Sequence, residues 1–149
     1  MEIKINLTRQ ANKAKWGSSV AIDLEEYLRY VVNKEIGGTQ QLAALKAQAI
    51  ASRSYAIAMV EAGVTMDDTT KYQAFEVKDI SNRADIQQAI RDTAGMILYC
   101  DGKPATAWFG DGNDGRTKSS EEKWGGIRKW TIAQDDPWDG CRYKNWVFP

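Results

Sequence analysis

The chain has 149 residues, 43% of them hydrophobic and 27% charged, a balance that fits one soluble globular domain with a real core. Twenty basic residues are matched by twenty acidic ones, which argues against nucleic acid as a partner, since that needs basic charge in excess on one face. There is no histidine, so His-based triads, His general bases and the common zinc sites are excluded, and any chemistry must run on carboxylates, hydroxyls, Lys, Tyr or backbone amides.

In chain order, 2-EIKINL-7 alternates polar and apolar residues and predicts a strand. The same opening has no apolar core of the kind a signal peptide needs. It implies either that the protein is not exported by that route or that the chain is an excised or differently delivered domain. SSVAI, ending at Ile22, is a second short β-like run. Asp23 is placed to cap the helix LEEYLRYVVNKEI, with Glu26 three residues on completing a capping box. Leu24, Leu28, Val31 and Val32 give that helix an apolar stripe. Gly37-Gly38 then stops it.

Thr39 is the expected N-cap of a long helix over about 41–62, closed by Gly63. Its interior is nearly all Ala, Leu, Ile, Ser and Gln. A helix apolar almost all round is a buried one. Residues 67–78, DDTTKYQAFEVK, predict a turn and a short strand. Residues 85–93 predict a short helix closed by Ala94-Gly95. MILYC and PATAWF flank Asp101-Gly102, a hairpin turn signal. GDGNDGRTKSS, residues 110–120, is a polar Gly-rich loop, and the Trp-rich remainder predicts loops with one short strand at KWTIA. No run reaches membrane-spanning length. The expected fold is α+β, a single domain over 1–149, with two main helices packed on short antiparallel strands.

Two residues stand out. Glu35 sits at a helix C-terminus, where the dipole disfavours negative charge, and apolar Ile36 follows it. Both features favour a carboxyl that keeps its proton, the condition for a general acid. The alternative is an ordinary surface Glu paired with Lys34 or Lys46. Arg53 lies deep in the Ala-rich helix, so it needs a carboxylate or several carbonyls. Lys46 is seven residues before it on the same face, and Gln48, Ser52 and Tyr55 form an adjacent polar stripe. That pattern fits either a satisfied internal network or a substrate-facing wall. Asp111 and Asp114 lack the ligand series of a calcium loop. Cys100 and Cys141 could pair, which spacing alone does not decide. The many tryptophans suit core and loop anchoring, or a sugar-stacking platform.

The run LEEYLRYVVNKEIGG followed by LAALKAQAIASRSYAI resembles the SpoIID/LytB family. DTTKYQAFEV, then TAGMILYCDGKPATAWFGDGNDGRTKSSEEKWGG, then DDPWD are similar to further blocks of that family in the same order. The resemblance spans about residues 18–139. It implies a peptidoglycan lytic transglycosylase that cuts between N-acetylmuramic acid and N-acetylglucosamine, or, as in LytB-type relatives, an enhancer of a cell-wall amidase. It further implies a place in the cell envelope or outside the cell, no cofactor, and peptidoglycan glycan strands as the partner, with a cell-wall amidase as a second. By the same resemblance Glu35 is the catalytic acid, while Lys46, Gln48, Arg53, Gln73, Gly115, Thr117 and Ser119 are expected at the substrate. Four features depart from the family pattern. Ile36-Gly37 replaces a Met-Pro, and GDGNDG replaces a Ser-rich loop. The His and Cys ligands that bind zinc in some members are missing, so no metal is expected. The chain stops at Pro149, before a segment with which many members continue, which implies a minimal or shortened domain.

Overall fold

A computed structural model describes residues 1–36, 41–110, 112–113 and 115–137. Their contacts cluster into two compact units, Met1–Ala107 and Trp108–Pro149.

The first unit opens with β1, Glu2–Asn6, whose alternation puts Ile3 and Ile5 in the core and Glu2, Lys4 and Asn6 outside. That is the period-two pattern of a sheet with one wet face. A helix, α1, Gln10–Trp16, leads into β2, Ser19–Asp23. β2 pairs antiparallel with β1, Ile3 opposite Ile22 and Ile5 opposite Val20. Next come α2, Leu24–Ile36, and α3, Leu42–Glu61. A two-residue strand, β3, Met66–Asp67, joins β1 on its other edge and runs parallel to it, so the sheet order is β2-β1-β3. The strands are therefore not all antiparallel. α4, Ala84–Asp92, packs with α2 and α3. The hairpin of β4, Tyr99–Cys100, and β5, Lys103–Pro104, closes the unit. Its turn has φ of 51° at Asp101 and 74° at Gly102, the two positive values that the Asp-Gly dipeptide supplies in a two-residue hairpin.

α2 forms where the capping signal placed it. The N–H groups of Glu25 and Glu26 donate to Asp23 Oδ1 at 2.9 and 3.4 Å, satisfying donors that a helix start leaves unpaired. Glu26 does not close the box; it pairs with Arg29 instead. α2 buries Leu24, Tyr27, Leu28, Tyr30, Val31 and Val32. α3 starts from Gln41 as its N-cap; the expected cap Thr39 and the expected stop at Gly37-Gly38 lie outside the described residues. The run Ser52–Ala56 of α3 is buried on every side, as its composition requires.

Two expected strands are absent among the described residues. Residues 72–80 run as irregular chain rather than as a strand. Side chains, instead of a sheet ladder, take backbone groups of this segment, with Asn12 bonded to Phe75 and Val77. KWTIA is likewise irregular.

Among its described residues the second unit holds one short helix, α5, Ser120–Trp124, and an isolated antiparallel bridge between Arg116 and Asp135. Asp111, Asp114, Trp138, Cys141 and Trp146 lie outside the described residues, and with them the calcium question, the Cys100–Cys141 pairing and the last two residues of the DDPWD block.

Candidate functional site

Glu35 stands on the last turn of α2 and is half-buried. Its Oε1 accepts a hydrogen bond from the backbone N–H of Ala74 at 2.6 Å. The next link up the same helix turn joins Lys34 to Glu76 as an ion pair. Lys34, with Arg9 and Lys78 further off, holds the Glu76 carboxyl below the usual Glu range. Two neighbouring bonds thus tie the end of α2 to residues 74–76.

Ala74 is fixed because both of its chain neighbours are anchored. Gln73, 1% exposed, accepts from Tyr27 Oη at 3.2 Å and donates through Nε2 to the Ser52 carbonyl at 3.3 Å. Burial first, then the charges of Tyr55 and Glu35, push the Tyr27 phenol well above its ordinary range, so it stays a neutral donor. On the other side, Phe75 is fully buried in an aromatic cluster. It stacks on Trp16 with centroids 5.7 Å apart, and it meets Tyr27 at 5.2 Å and Tyr30 at 5.6 Å.

Asn12 and Asp68, both wholly buried, hold the rest of this irregular segment. Asn12 Nδ2 donates to the Phe75 carbonyl and to Asp68 Oδ2, each at 2.8 Å, and Asn12 Oδ1 accepts from Val77 N–H at 2.7 Å. The N–H groups of Thr8 and Arg9 donate to Asp68 at 2.9 and 3.0 Å. Burial alone would raise the Asp68 carboxyl. The donors from Thr8, Arg9 and Asn12 outweigh it and hold the group below the ordinary Asp range.

Arg53 is 1% exposed and lies against Glu25 in a fork, Nε to Oε1 at 2.8 Å and Nη2 to Oε2 at 2.7 Å. Nη1 also donates to the Met96 carbonyl at 3.2 Å and Nη2 to that of Ile90 at 3.5 Å. Of the two readings open for this residue, the geometry is that of the satisfied internal network. Gln73 is likewise enclosed, with both ends of its amide taken. Neither residue presents itself to a ligand, because a buried guanidinium or amide is kept only by using its donors inside.

Lys46 differs. Its ammonium pairs with Asp92 at 2.8 Å, and both side chains keep over a third of their surface in water. Gln48 is half-buried and donates to Ser52 Oγ at 3.0 Å.

The remaining expected site residues fall in the second unit, where each has a local structural job. Gly115 takes a positive φ of 87°, and its carbonyl accepts from Asp136 N–H at 2.8 Å. Thr117 exchanges backbone and hydroxyl bonds with Gln134. Ser119 caps α5: its Oγ accepts from Glu122 N–H at 3.2 Å, and Glu122 Oε2 accepts from Ser119 N–H at 2.8 Å. This is a complete capping box.

Sequence reasoning missed Glu25, Ala74, Asn12 and Asp68. Only Asp68 left a trace, as an acid inside a polar run with no hydrophobic period. Among the described residues no group of three or more His, Cys, Asp or Glu side chains could hold a metal ion. None of their helices is long and apolar enough to cross a membrane.

Residues 12–99, which carry Glu35, Lys46, Gln48, Arg53 and Gln73, match the SpoIID family, described as Stage II sporulation protein. The chain is 34% identical over 112 residues to an amidase enhancer of Bacillus subtilis (strain 168), covering 75% of this chain and 15% of that protein. It is 30% identical over 155 residues to Stage II sporulation protein D of the same organism, covering 92% of this chain and 44% of the relative. The protein of that name from Bacillus amyloliquefaciens is 30% identical over 136 residues, covering 79% and 40%. The chain thus spans less than half the length of these curated relatives. The family match over most of the first unit, with relatives at this level of identity, shows that the chain belongs to the SpoIID family.

Proposed function

We propose that this chain acts on bacterial cell-wall peptidoglycan as a lytic transglycosylase, with Glu35 as its single acid and base. The observation that carries this reading is the setting of Glu35: a half-buried carboxyl at a helix end with one oxygen held by the Ala74 amide. A general acid must be presented in a fixed orientation, and an amide set between two anchored residues supplies that.

Protonated Glu35 gives its proton to the oxygen bridging N-acetylmuramic acid to N-acetylglucosamine. The bond from the muramic C1 to that oxygen breaks, and the leaving sugar departs with a hydroxyl. The muramic C6 hydroxyl then bonds to C1, and the Glu35 carboxylate takes its proton. The products are a 1,6-anhydro end and a regenerated acid. One carboxylate suffices because the nucleophile belongs to the sugar, unlike the paired acids of ordinary glycoside hydrolases. Lys46 is the cation suited to the lactyl carboxylate of muramic acid, since its exposed pair with Asp92 is of a kind that exchanges cheaply. Arg53 and Gln73 act behind the surface, as positioning groups.

A second reading, a non-catalytic domain that binds the wall and assists an amidase, draws on the relative named amidase enhancer. Denuded glycan strands digested with the chain separate the two. Anhydro-muramic ends found by mass spectrometry, and lost in Glu35→Gln, support the enzyme. Retention on sacculi without products supports the enhancer. Equal turnover by Glu35→Gln removes Glu35 from its assigned role.

A further inference from the structure

Among the described residues of the second unit Trp108, Trp124 and Trp130 are exposed, and the first two stand side by side. Trp108 is 43% exposed and Trp124 61% exposed. Their ring centroids are 4.8 Å apart and their planes are tilted by 51°. Two cavities, of about 500 and about 430 Å3, both take Trp108 and Trp124 as a wall. Each volume lies in the ~300–1,000 Å3 range of small-ligand sites. A large aromatic surface left in water is costly unless something covers it.

The lining narrows what that is. Lys118 and Asp136 both line the larger cavity and Arg128 the smaller, so the formal charge is near balance. Asp136 opposes a polyphosphate, and Lys118 with Arg128 oppose a polycation. Asn113 Nδ2 donates to Asp136 Oδ2 at 2.8 Å, while Asn113 Oδ1 accepts from Gly115 N–H at 3.0 Å. The polar rim is therefore preorganised. Rings tilted by 51° do not form the parallel slot that clamps a flat base. They do offer separate faces to the C–H sides of successive sugar rings, with amide and charged groups beside them for hydroxyl and N-acetyl groups. Two cavities sharing one aromatic wall suit a chain of rings better than a single one.

We propose that Trp108 and Trp124 form a stacking platform for an oligosaccharide of N-acetylhexosamine units, with Asn113, Lys118 and Asp136 as its polar rim. This deepens the glycan reading of the function and rests on it. It moves the sugar contacts of this unit from Ser119, which is occupied in a helix cap, to exposed aromatic faces, and keeps Thr117, which lines the larger cavity.

The full chain, titrated with N-acetylglucosamine tetramer by calorimetry, tests the platform without needing turnover. Trp124→Ala and Trp108→Ala are expected to weaken binding about tenfold each, and Trp124→Phe by no more than about threefold. Thermal unfolding of each variant guards against misfolding. If an alanine variant unfolds, Trp124→Leu decides, since it keeps apolar volume without a ring: a folded Leu variant that binds about tenfold more weakly than wild type keeps the platform, and one that binds like wild type overturns it. Wild-type affinity in both folded alanine variants overturns the platform and leaves the glycan reading standing. A wild-type chain that binds neither the tetramer nor denuded strands overturns both.

Discussion

The carboxylate of Glu35 and the backbone N–H of Ala74 meet at 2.6 Å across 39 residues of sequence. This bond joins the end of a regular helix to a stretch with no secondary structure, and the irregular stretch is the more tightly held partner. Gln73 and Phe75 on either side of Ala74 are each buried to within 1%.

Glu35→Gln should separate chemistry from folding. The amide oxygen of Gln can still accept from Ala74, so the stability change should stay within about 1 kcal/mol. Release of anhydro-muramic products should fall by a factor of about 100 or more, the usual scale for loss of a general acid. Urea unfolding and product analysis on the same preparation check both halves. A large loss of stability would mean that the carboxylate serves the fold.

Gln73→Ala removes the strut beneath that bond. The Tyr27 hydroxyl and the Ser52 carbonyl lose their partner in a dry environment, at a cost of about 1–3 kcal/mol. Product release should fall as well, although Gln73 touches no substrate, and the fall should appear in kcat rather than KM. A raised KM with kcat unchanged would instead make Gln73 a binding residue.

Glu25 and Arg53 should show the asymmetry of a pair buried on one side. Glu25→Ala leaves a guanidinium in the core with only Thr93 and carbonyls as partners. The expected loss is about 2–3 kcal/mol, below the ~3–5 of a wholly buried pair, because Glu25 keeps 40% of its side chain in water. Adding Arg53→Met, which replaces the stranded cation by apolar volume, should restore part of it. Denaturant midpoints of the single and double variants decide the matter. A double variant no better than Glu25→Ala alone would show that the carbonyl contacts, not the ion pair, set the cost.

Asp68 sets an acid limit. Its native carboxyl is held below the ordinary Asp range, so the folded chain gives up this proton more readily than the unfolded chain does. The stabilisation is complete above the unfolded value near ~4 and fades as pH falls from there through the lowered native value. Asp68→Asn should cost about 2–3 kcal/mol at neutral pH, since the charged acceptor of the Thr8, Arg9 and Asn12 bonds is gone. It should also flatten the loss of stability below about pH 4. An acid limb as steep as that of the wild type would assign it to Asp23, Glu76, Asp79, Asp85 or Glu122, whose carboxyls are lowered too.

Lys46→Ala should barely touch stability, by about 0.2–1 kcal/mol, because its pair with Asp92 is exposed. Binding of muramic-acid strands should weaken several-fold while binding of uncharged N-acetylglucosamine oligomers holds. Competition assays with the two ligands read this directly, and equal loss for both would remove Lys46 from the lactyl carboxylate.

The elements with a repeating pattern are legible in the amino-acid sequence. β1 follows from alternation, β2 from a short β-like run, α2 from apolar spacing, α3 from an interior apolar almost all round, the Asp23 cap from its position, and the β4–β5 turn from Asp-Gly. α1 leaves no such trace, because the only side chain it buries is the polar Asn12. α5 has five residues, too few for a period.

By itself the sequence determined the α+β class, the position of Glu35 at a helix end, and the need of Arg53 for a carboxylate or several carbonyls. These depend on local spacing and on the cost of burying charge. Only the tertiary structure decided that the partner is Glu25, that Ala74 holds Glu35, and that Gln73 is a strut. Residues 68–77 are fixed by long-range side-chain bonds to their backbone, and such bonds leave no periodic mark in the chain that makes them.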